Sequence, residues 1–241
     1  MAPAHALHLA VPVAWARVEP RRGAYAEAEL DTLGAKLRQL RASGTEPTVV
    51  LHAGALPDWV LARRGWLDPT VLADWGCFVD RVAQRVGVHV RRWATFRDPF
   101  GEAAWYDGEV RHVLRTLLDA HATAWLHLAR TQGTGGKRPD VGVIVRLGAE
   151  APPVGLRQRA ARALREAYGE EAWLRVLATG RVSPPFGAFG ELPNGTPALD
   201  WIGAEWAGAG TEGDSARATA HARLCTFGKP VYGLGGASGP S

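Results

Sequence analysis

The chain has 241 residues, 46% of them hydrophobic and 22% charged, the balance of a globular domain rather than of a disordered or fibrous chain. Its net charge is +4 and its pI about 9.4, but lysine occurs only at Lys36, Lys137 and Lys229; the remaining basic side chains are scattered arginines, which argues against a concentrated nucleic-acid surface. There is no run of about 18 apolar residues to span a membrane and no basic, then apolar, N-terminal signal region. Cys77 and Cys225 lack metal-ligand spacing and read as a reduced pair, so a cytoplasmic protein without metal or cofactor is expected.

Residues 7–14 read as a strand that Pro12 confines to a sheet edge, because proline cannot donate to the ladder. The segment from Trp15 continues it as far as Pro20. Leu30, Leu33, Leu37 and Leu40 recur at helical spacing between about Ala26 and Ser43, and Gly44 is a natural residue to end the helix. Thr48 to His52 is a second strand. Asp68-Pro69 has the residue types of a helix start, and the helix it predicts buries Trp75, Phe78, Val79 and Val82 before closing at Gly87.

Val88 to Arg92 alternates like a third strand heading into a turn at Trp93-Ala94-Thr95-Phe96-Arg97-Asp98-Pro99, with Pro99 read as a loop proline. A long helix is predicted over 109–131, a turn-rich linker over 133–136 and a strand, apolar on both faces, over 141–145. Two helices follow near 154–168 and 170–179, then a Pro- and Gly-rich loop over 183–197. Leu199 to Trp206 is a strand, Asp214 to Thr226 a helix, Lys229 to Leu234 a last strand, and the end of the chain, 234–241, a flexible tail. Strands alternate with helices throughout, so a single domain with a parallel α/β sheet is predicted, without internal repeats.

Nine short motifs in this order resemble glycoside hydrolase family 1, the β-glucosidase family of (β/α)8 barrels. They run from Trp15-Ala16-Arg17-Val18-Glu19-Pro20 and Gly23 through Gly44 to His52, Leu56-Pro57-Asp58-Trp59, Gly65 to Pro69, Val90 to Phe96, Leu117 to Ala122 and Leu199 to Gly203, and end at Gly228-Lys229-Pro230-Val231-Tyr232. The resemblance implies a TIM-barrel-derived fold and a carbohydrate-active ancestry. Strands two to seven of the family pattern are matched; the first and eighth are expected to be missing, which leaves an incomplete barrel with unpaired edges at 7–14 and 230–234. A homo-oligomer, or a partner chain covering that gap, is the corresponding expectation.

Retaining hydrolysis needs two carboxyl groups about 5–5.5 Å apart, one as acid/base and one as nucleophile. The resemblance places the family's Thr-Phe-Asn-Glu-Pro acid/base motif at Thr95-Phe96-Arg97-Asp98-Pro99, so the asparagine is Arg97 and the glutamate is Asp98, one methylene shorter. The nucleophile motif that follows Lys-Pro-Ile-Tyr is represented by Gly233-Leu234-Gly235-Gly236, with Gly235 where the glutamate belongs. The sugar-binding His-Trp pair aligns with Ala53-Gly54, His52 takes the preceding position, and Glu205-Trp206-Ala207 stands for the family's Asn-Tyr-Tyr.

The expectation is a non-hydrolytic pseudo-glycosidase that binds a small, sugar-like ligand or another protein. The alternative is an enzyme with new chemistry that pairs Asp98 with Glu205 as catalytic carboxylates. Arg17, Arg97, His52 and Trp206 are the expected ligand-binding residues, Arg17 and Arg97 as an anion clamp and Trp206 as a stacking platform. If the pocket instead fills with salt bridges, the expected partners are Arg17 with Glu205 and Arg97 with Asp98. His52, His89 and His121 have no carboxylate or cysteine at ligand spacing, and no metal is expected on them.

Overall fold

The computed structural model describes residues 8–131, 133–147, 159, 169–193, 195–206 and 214–234. Six parallel strands form one curled sheet in the order β1 (His8–Pro12), β2 (Glu46–His52), β3 (Arg92–Arg97), β4 (Asp140–Leu147), β7 (Trp201–Trp206) and β8 (Val231–Leu234). Helices α2 (Glu27–Ala42), α4 (Val71–Val86), α6 (Val110–Ala129), α7 (Glu170–Thr179) and α8 (Asp214–Cys225) return the chain between strands. Three short helices, α1 (Trp15–Val18), α3 (Asp58–Leu61) and α5 (Pro99–Ala103), follow β1, β2 and β3. The result is an incomplete (β/α) barrel. The predicted helix near 154–168 and the tail beyond Leu234 lie outside the described residues, apart from Arg159.

Three expectations about the strands change. The chain from Trp15 to Val18 is not strand but the helical turn α1, which buries Trp15 and Val18 and leaves Arg17 facing out. The third strand starts at Arg92, not Val88, because Gly87–His89 closes α4 with a 3-10 turn. The loop after α7 contains a two-stranded antiparallel hairpin, β5 (Arg181–Val182) with β6 (Gly190–Glu191).

Two apolar clusters hold the fold. The larger lies between sheet and helices and contains Trp15, Trp66, Trp75, Phe78 and Phe96, each essentially fully buried. A buried indole N–H usually finds an acceptor, and those of Trp15, Trp66 and Trp75 do. Trp15 Nε1 donates to Glu19 Oε2 (2.8 Å), Trp75 Nε1 to the Ala120 carbonyl (2.9 Å) and Trp66 Nε1 to Glu102 Oε1 (3.1 Å). The smaller cluster, Val50, Ala94, Ile144, Trp201 and Leu234, fills the inside of the curl, with Ala10 and Tyr232 packed against it.

Trp201 is the main filler of that interior. A Cβ on Gly142 would come 2.2 Å from the Trp201 carbonyl oxygen and 2.7 Å from its ring, so β4 passes Trp201 closely enough to require glycine. Below it, the Arg92 guanidinium lies 3.9 Å from the Tyr232 ring centroid and 5.6 Å from that of Trp201. As expected, β1 and β8 are the two ends of the sheet order, and Pro12 sits on an edge strand. The curl nevertheless brings β1 and β8 within 8 Å of each other, Cα to Cα, so the missing pairing is a seam rather than a wide gap.

Candidate functional site at the barrel mouth

Parallel strands of a barrel end at one face, where loops and strand-end side chains meet. Here that face carries a cleft of about 250 Å³ lined by Ala53, Gly54, Arg97, Asp98, Glu102 and Glu205, with Gly101, Trp105 and Arg146 completing it. A register shift between Ala94 and Arg97 in the pairing of β3 with β4 interrupts the alternation of β3. Arg97 can then meet Glu205, on β7, across the intervening β4.

The contact is two-pronged. Arg97 Nε donates to Glu205 Oε2 at 2.7 Å and its terminal nitrogen donates to Glu205 Oε1. Glu205 holds the guanidinium pKa above its ordinary value, against the opposing effect of burial. Arg146, the register partner of Glu205 on β4, has no ion-pair partner among the described residues.

Asp98 is held differently. Its backbone sits at φ 55°, ψ 65°, the left-handed region that aspartate tolerates better than most residues. From there Oδ1 accepts the Gly101 N–H at 3.0 Å and caps the short helix α5, with Pro99 at its first position. The cap is tight: a Cβ on Gly101 would lie 2.4 Å from Asp98 Oδ2.

The same helix turn points Glu102 at the cleft, and sequence reasoning missed this residue. Glu102 is 7% exposed, receives the Trp66 indole N–H and lies with Oε2 3.1 Å from Nε2 of His52. His52, at the end of β2, is itself buried edge-on to Trp66 and Phe96. It therefore backs Glu102 rather than lining the cleft, which corrects its expected ligand contact. The Asp-Pro signature used to place a helix start at Asp68 would have found Glu102 had it been applied to Asp98-Pro99. At Asp68 the signature makes a turn instead: Oδ1 accepts the Thr70 N–H at 2.9 Å and α4 begins at Val71.

Two other expected residues lie elsewhere. The Arg17 side chain is 71% exposed and pairs with Glu29 of α2 at 2.7 Å, because the helical turn that buries Trp15 turns Arg17 outward. Trp206 follows Glu205 on β7, and side chains alternate along a strand, so it takes the opposite face and does not line the cleft. The exposed aromatic at the rim is Trp105. The expected salt bridges also exchange partners, since Glu205 is taken by Arg97 and Arg17 by Glu29. Ala53 and Gly54 do line the cleft, and Gly235 lies outside the described residues. Among the described residues no cluster of His, Cys, Asp or Glu could hold a metal ion.

Comparison with known proteins gives a consistent answer. The chain is similar to solved β-glycosidases. For the β-glycosidase from Pyrococcus horikoshii the TM-score is 0.64 at 21% identity, over 82% of this chain and 47% of that one. For the β-glucosidase from Thermotoga maritima in complex with deoxynojirimycin it is 0.65 at 18% identity, over 83% and 50%. Beta-glucosidase 40 of Arabidopsis thaliana is 34% identical over 89 residues, 36% of this chain and 18% of that protein. Beta-glucosidase 34 of Oryza sativa subsp. japonica is 27% identical over 132 residues, 54% of this chain and 25% of that protein. The chain thus spans a quarter or less of these curated relatives and half or less of the solved structures. The family model for glycosyl hydrolase family 1 matches residues 4–180, and with the curled parallel sheet and the strand-end cleft this makes the chain a member of that family.

Proposed function

We propose that this chain is a non-hydrolytic member of the family, whose barrel mouth binds a small, sugar-like ligand without cleaving it. The observation that carries the reading is the Arg97–Glu205 pair: of the two carboxylates expected to act together, one is held by a guanidinium and the other caps α5. Catalysis by a carboxylate pair needs one group free to donate a proton and one free to attack or to activate water. The alignment of Gly235 with the family's nucleophile position supports the same reading.

Ligand binding asks less of the site. Glu102 and Arg146 offer an acceptor and a donor, Trp105 an apolar face, and a cleft of about 250 Å³ suits a single sugar ring. A reducing compartment such as the cytoplasm is part of the same proposal, in keeping with free, exposed Cys77 and Cys225. The unpaired edges of β1 and β8 favour a second copy or a partner chain along the seam, which light scattering would reveal as a mass above the monomer.

Deoxynojirimycin, the ligand named in one of the similar structures, is the probe. Calorimetry should give saturable binding that weakens about tenfold or more in Glu102→Gln, which removes a charged acceptor. Absence of binding by the parent protein, or identical binding by the variant, would sink the proposal. Turnover of an aryl glycoside that disappears in Asp98→Ala would install the repurposed enzyme instead.

A further inference from the structure

A second cleft, of about 380 Å³, opens at the opposite end of the strands, lined chiefly by Arg41, Glu46, Arg91, Lys137, Arg138 and Asp140. It is built where the ends of α2 and of the turn Gly87–His89 meet the starts of β2, β3 and β4 and the loop through the 3-10 turn Thr134–Gly136. Four cationic side chains face two carboxylates there. Arg138 is held by Asp200 at 2.7 Å, and Arg41 donates to the His89 carbonyl at 3.2 Å. The other two cations are more available. Arg91 is 66% exposed with its nearest carboxylate, Asp140, at 3.8 Å, and Lys137 is exposed with no ion-pair partner among the described residues.

The loop is shaped to present Lys137. Gly135 and Gly136 both take left-handed conformations, at φ 69° and 72°, with nothing within 4 Å of where a Cβ would be; the glycines are there for the path of the backbone, not for space. Gly133 N–H then closes the loop on the Lys137 carbonyl at 2.9 Å. One lining group is an unused acceptor: Glu46 Oε1 is buried and has no hydrogen-bond partner among the described residues. Next to the cleft, His89 reports the local field. Burial first, and then the charges of Arg38 and Arg41, push its pKa below the ordinary value.

A bare oxyanion would satisfy the cations and leave Glu46 unpaired, whereas a neutral polyol would do the reverse. We propose that this cleft is a second ligand site, separate from the barrel mouth, for a phosphorylated small molecule bearing hydroxyl or amino groups. Arg91 and Lys137 hold the phosphate, and Glu46 Oε1 accepts a hydrogen bond from the donor. The cleft is larger than inorganic phosphate needs, which leaves room for that second group.

The test uses inorganic phosphate and glucose 6-phosphate as probes, at constant ionic strength held with sodium chloride, on the full chain. NMR follows the His89 ring, and calorimetry gives the affinities. Two charge-assisted contacts support a phosphate dissociation constant of about 1 mM, and an added hydrogen bond to a charged acceptor should make glucose 6-phosphate about tenfold tighter. Both probes should move the His89 titration to higher pH, since a bound anion offsets the Arg38 and Arg41 charges. Lys137→Gln alters an exposed side chain without an ion-pair partner and should weaken both probes about tenfold. Glu46→Ala, which removes the acceptor, should erase the preference for the sugar phosphate. No saturable change at about 10 mM phosphate, an equal change with chloride alone, or unaltered affinity in Lys137→Gln would each overturn the proposal.

Discussion

Replacing Glu205 with glutamine keeps the shape of the side chain but leaves the Arg97 guanidinium without its counter-charge. The Glu205 side chain is 11% exposed and that of Arg97 38%. The pair therefore lies between a surface ion pair, worth about 0.2–1 kcal/mol, and a buried one, whose disruption costs about 3–5 kcal/mol. Because the stranded guanidinium can still reach water, Glu205→Gln should cost about 2 kcal/mol, and Arg97→Gln a similar amount. The double variant should cost little more than either single one, a coupling energy of about 2 kcal/mol. In a chain of this length 2 kcal/mol lowers the thermal midpoint by roughly 4–8 °C. Urea unfolding of the parent and the three variants at pH 7 gives the four free energies of the cycle. A coupling below about 0.5 kcal/mol would mean that the two charges act independently, and that Arg97 does not hold Glu205 away from other chemistry.

Other side chains give independent checks. Gly142→Ala would drive a methyl group into the Trp201 carbonyl and ring at 2.2 and 2.7 Å, so it should destabilise by about 3 kcal/mol or prevent folding. Gly190→Ala, whose Cβ would find nothing nearer than 3.8 Å, should stay within about 0.5 kcal/mol of the parent in the same thermal assay. Asp98→Asn retains an oxygen acceptor and tolerates the left-handed backbone, so its cost should be small; Asp98→Ala loses the cap and strains φ, about 2 kcal/mol together by urea unfolding. Equal losses in the two variants would show that the charge of Asp98, not its capping oxygen, is what the fold uses.

His121 makes a prediction in pH. It is fully buried, its Nε2–H donates to the Ala198 carbonyl at 2.5 Å and its Nδ1 lies 2.7 Å from the Thr95 hydroxyl; burial pushes its pKa down from 6.5 to about 4. The unfolded chain takes up the proton first, so its contribution to stability is full above about pH 6.5 and falls as the pH drops towards 4. The loss has a ceiling of roughly 3 kcal/mol. The His121 ring should remain neutral by NMR at pH 5; a titration near 6.5 would refute the buried, neutral assignment.

Periodicity and motif order made the scaffold legible. Val49 and Leu51 face the helices while Val50 faces the interior, so the continuous apolar run Val49-Val50-Leu51 is that of a strand buried on both faces. The aromatic positions Trp15, Trp66, Trp93 and Phe96 are all buried, in keeping with the family motifs that contain them. The positions of the charged side chains were harder to read, because each depends on a backbone irregularity shorter than a motif. Arg17 turns outward on a single helical turn, Arg97 meets Glu205 beside a register shift, and Asp98 turns back on its own helix from a left-handed residue. Motif order therefore located the mouth of the barrel but could not pair the charges within it. Glu102 needed one further step, reading Pro99 as the start of a helix rather than as a loop.

Hydrolysis of aryl β-glucosides and β-galactosides, followed over long incubations beside the Asp98→Ala and Glu205→Ala variants, tests the central reading most directly. A non-hydrolytic mouth predicts release at the buffer rate by all three proteins, even where deoxynojirimycin binds. Release well above that rate by the parent protein, abolished when Asp98 or Glu205 is replaced, would contradict it and identify the pair as working carboxylates.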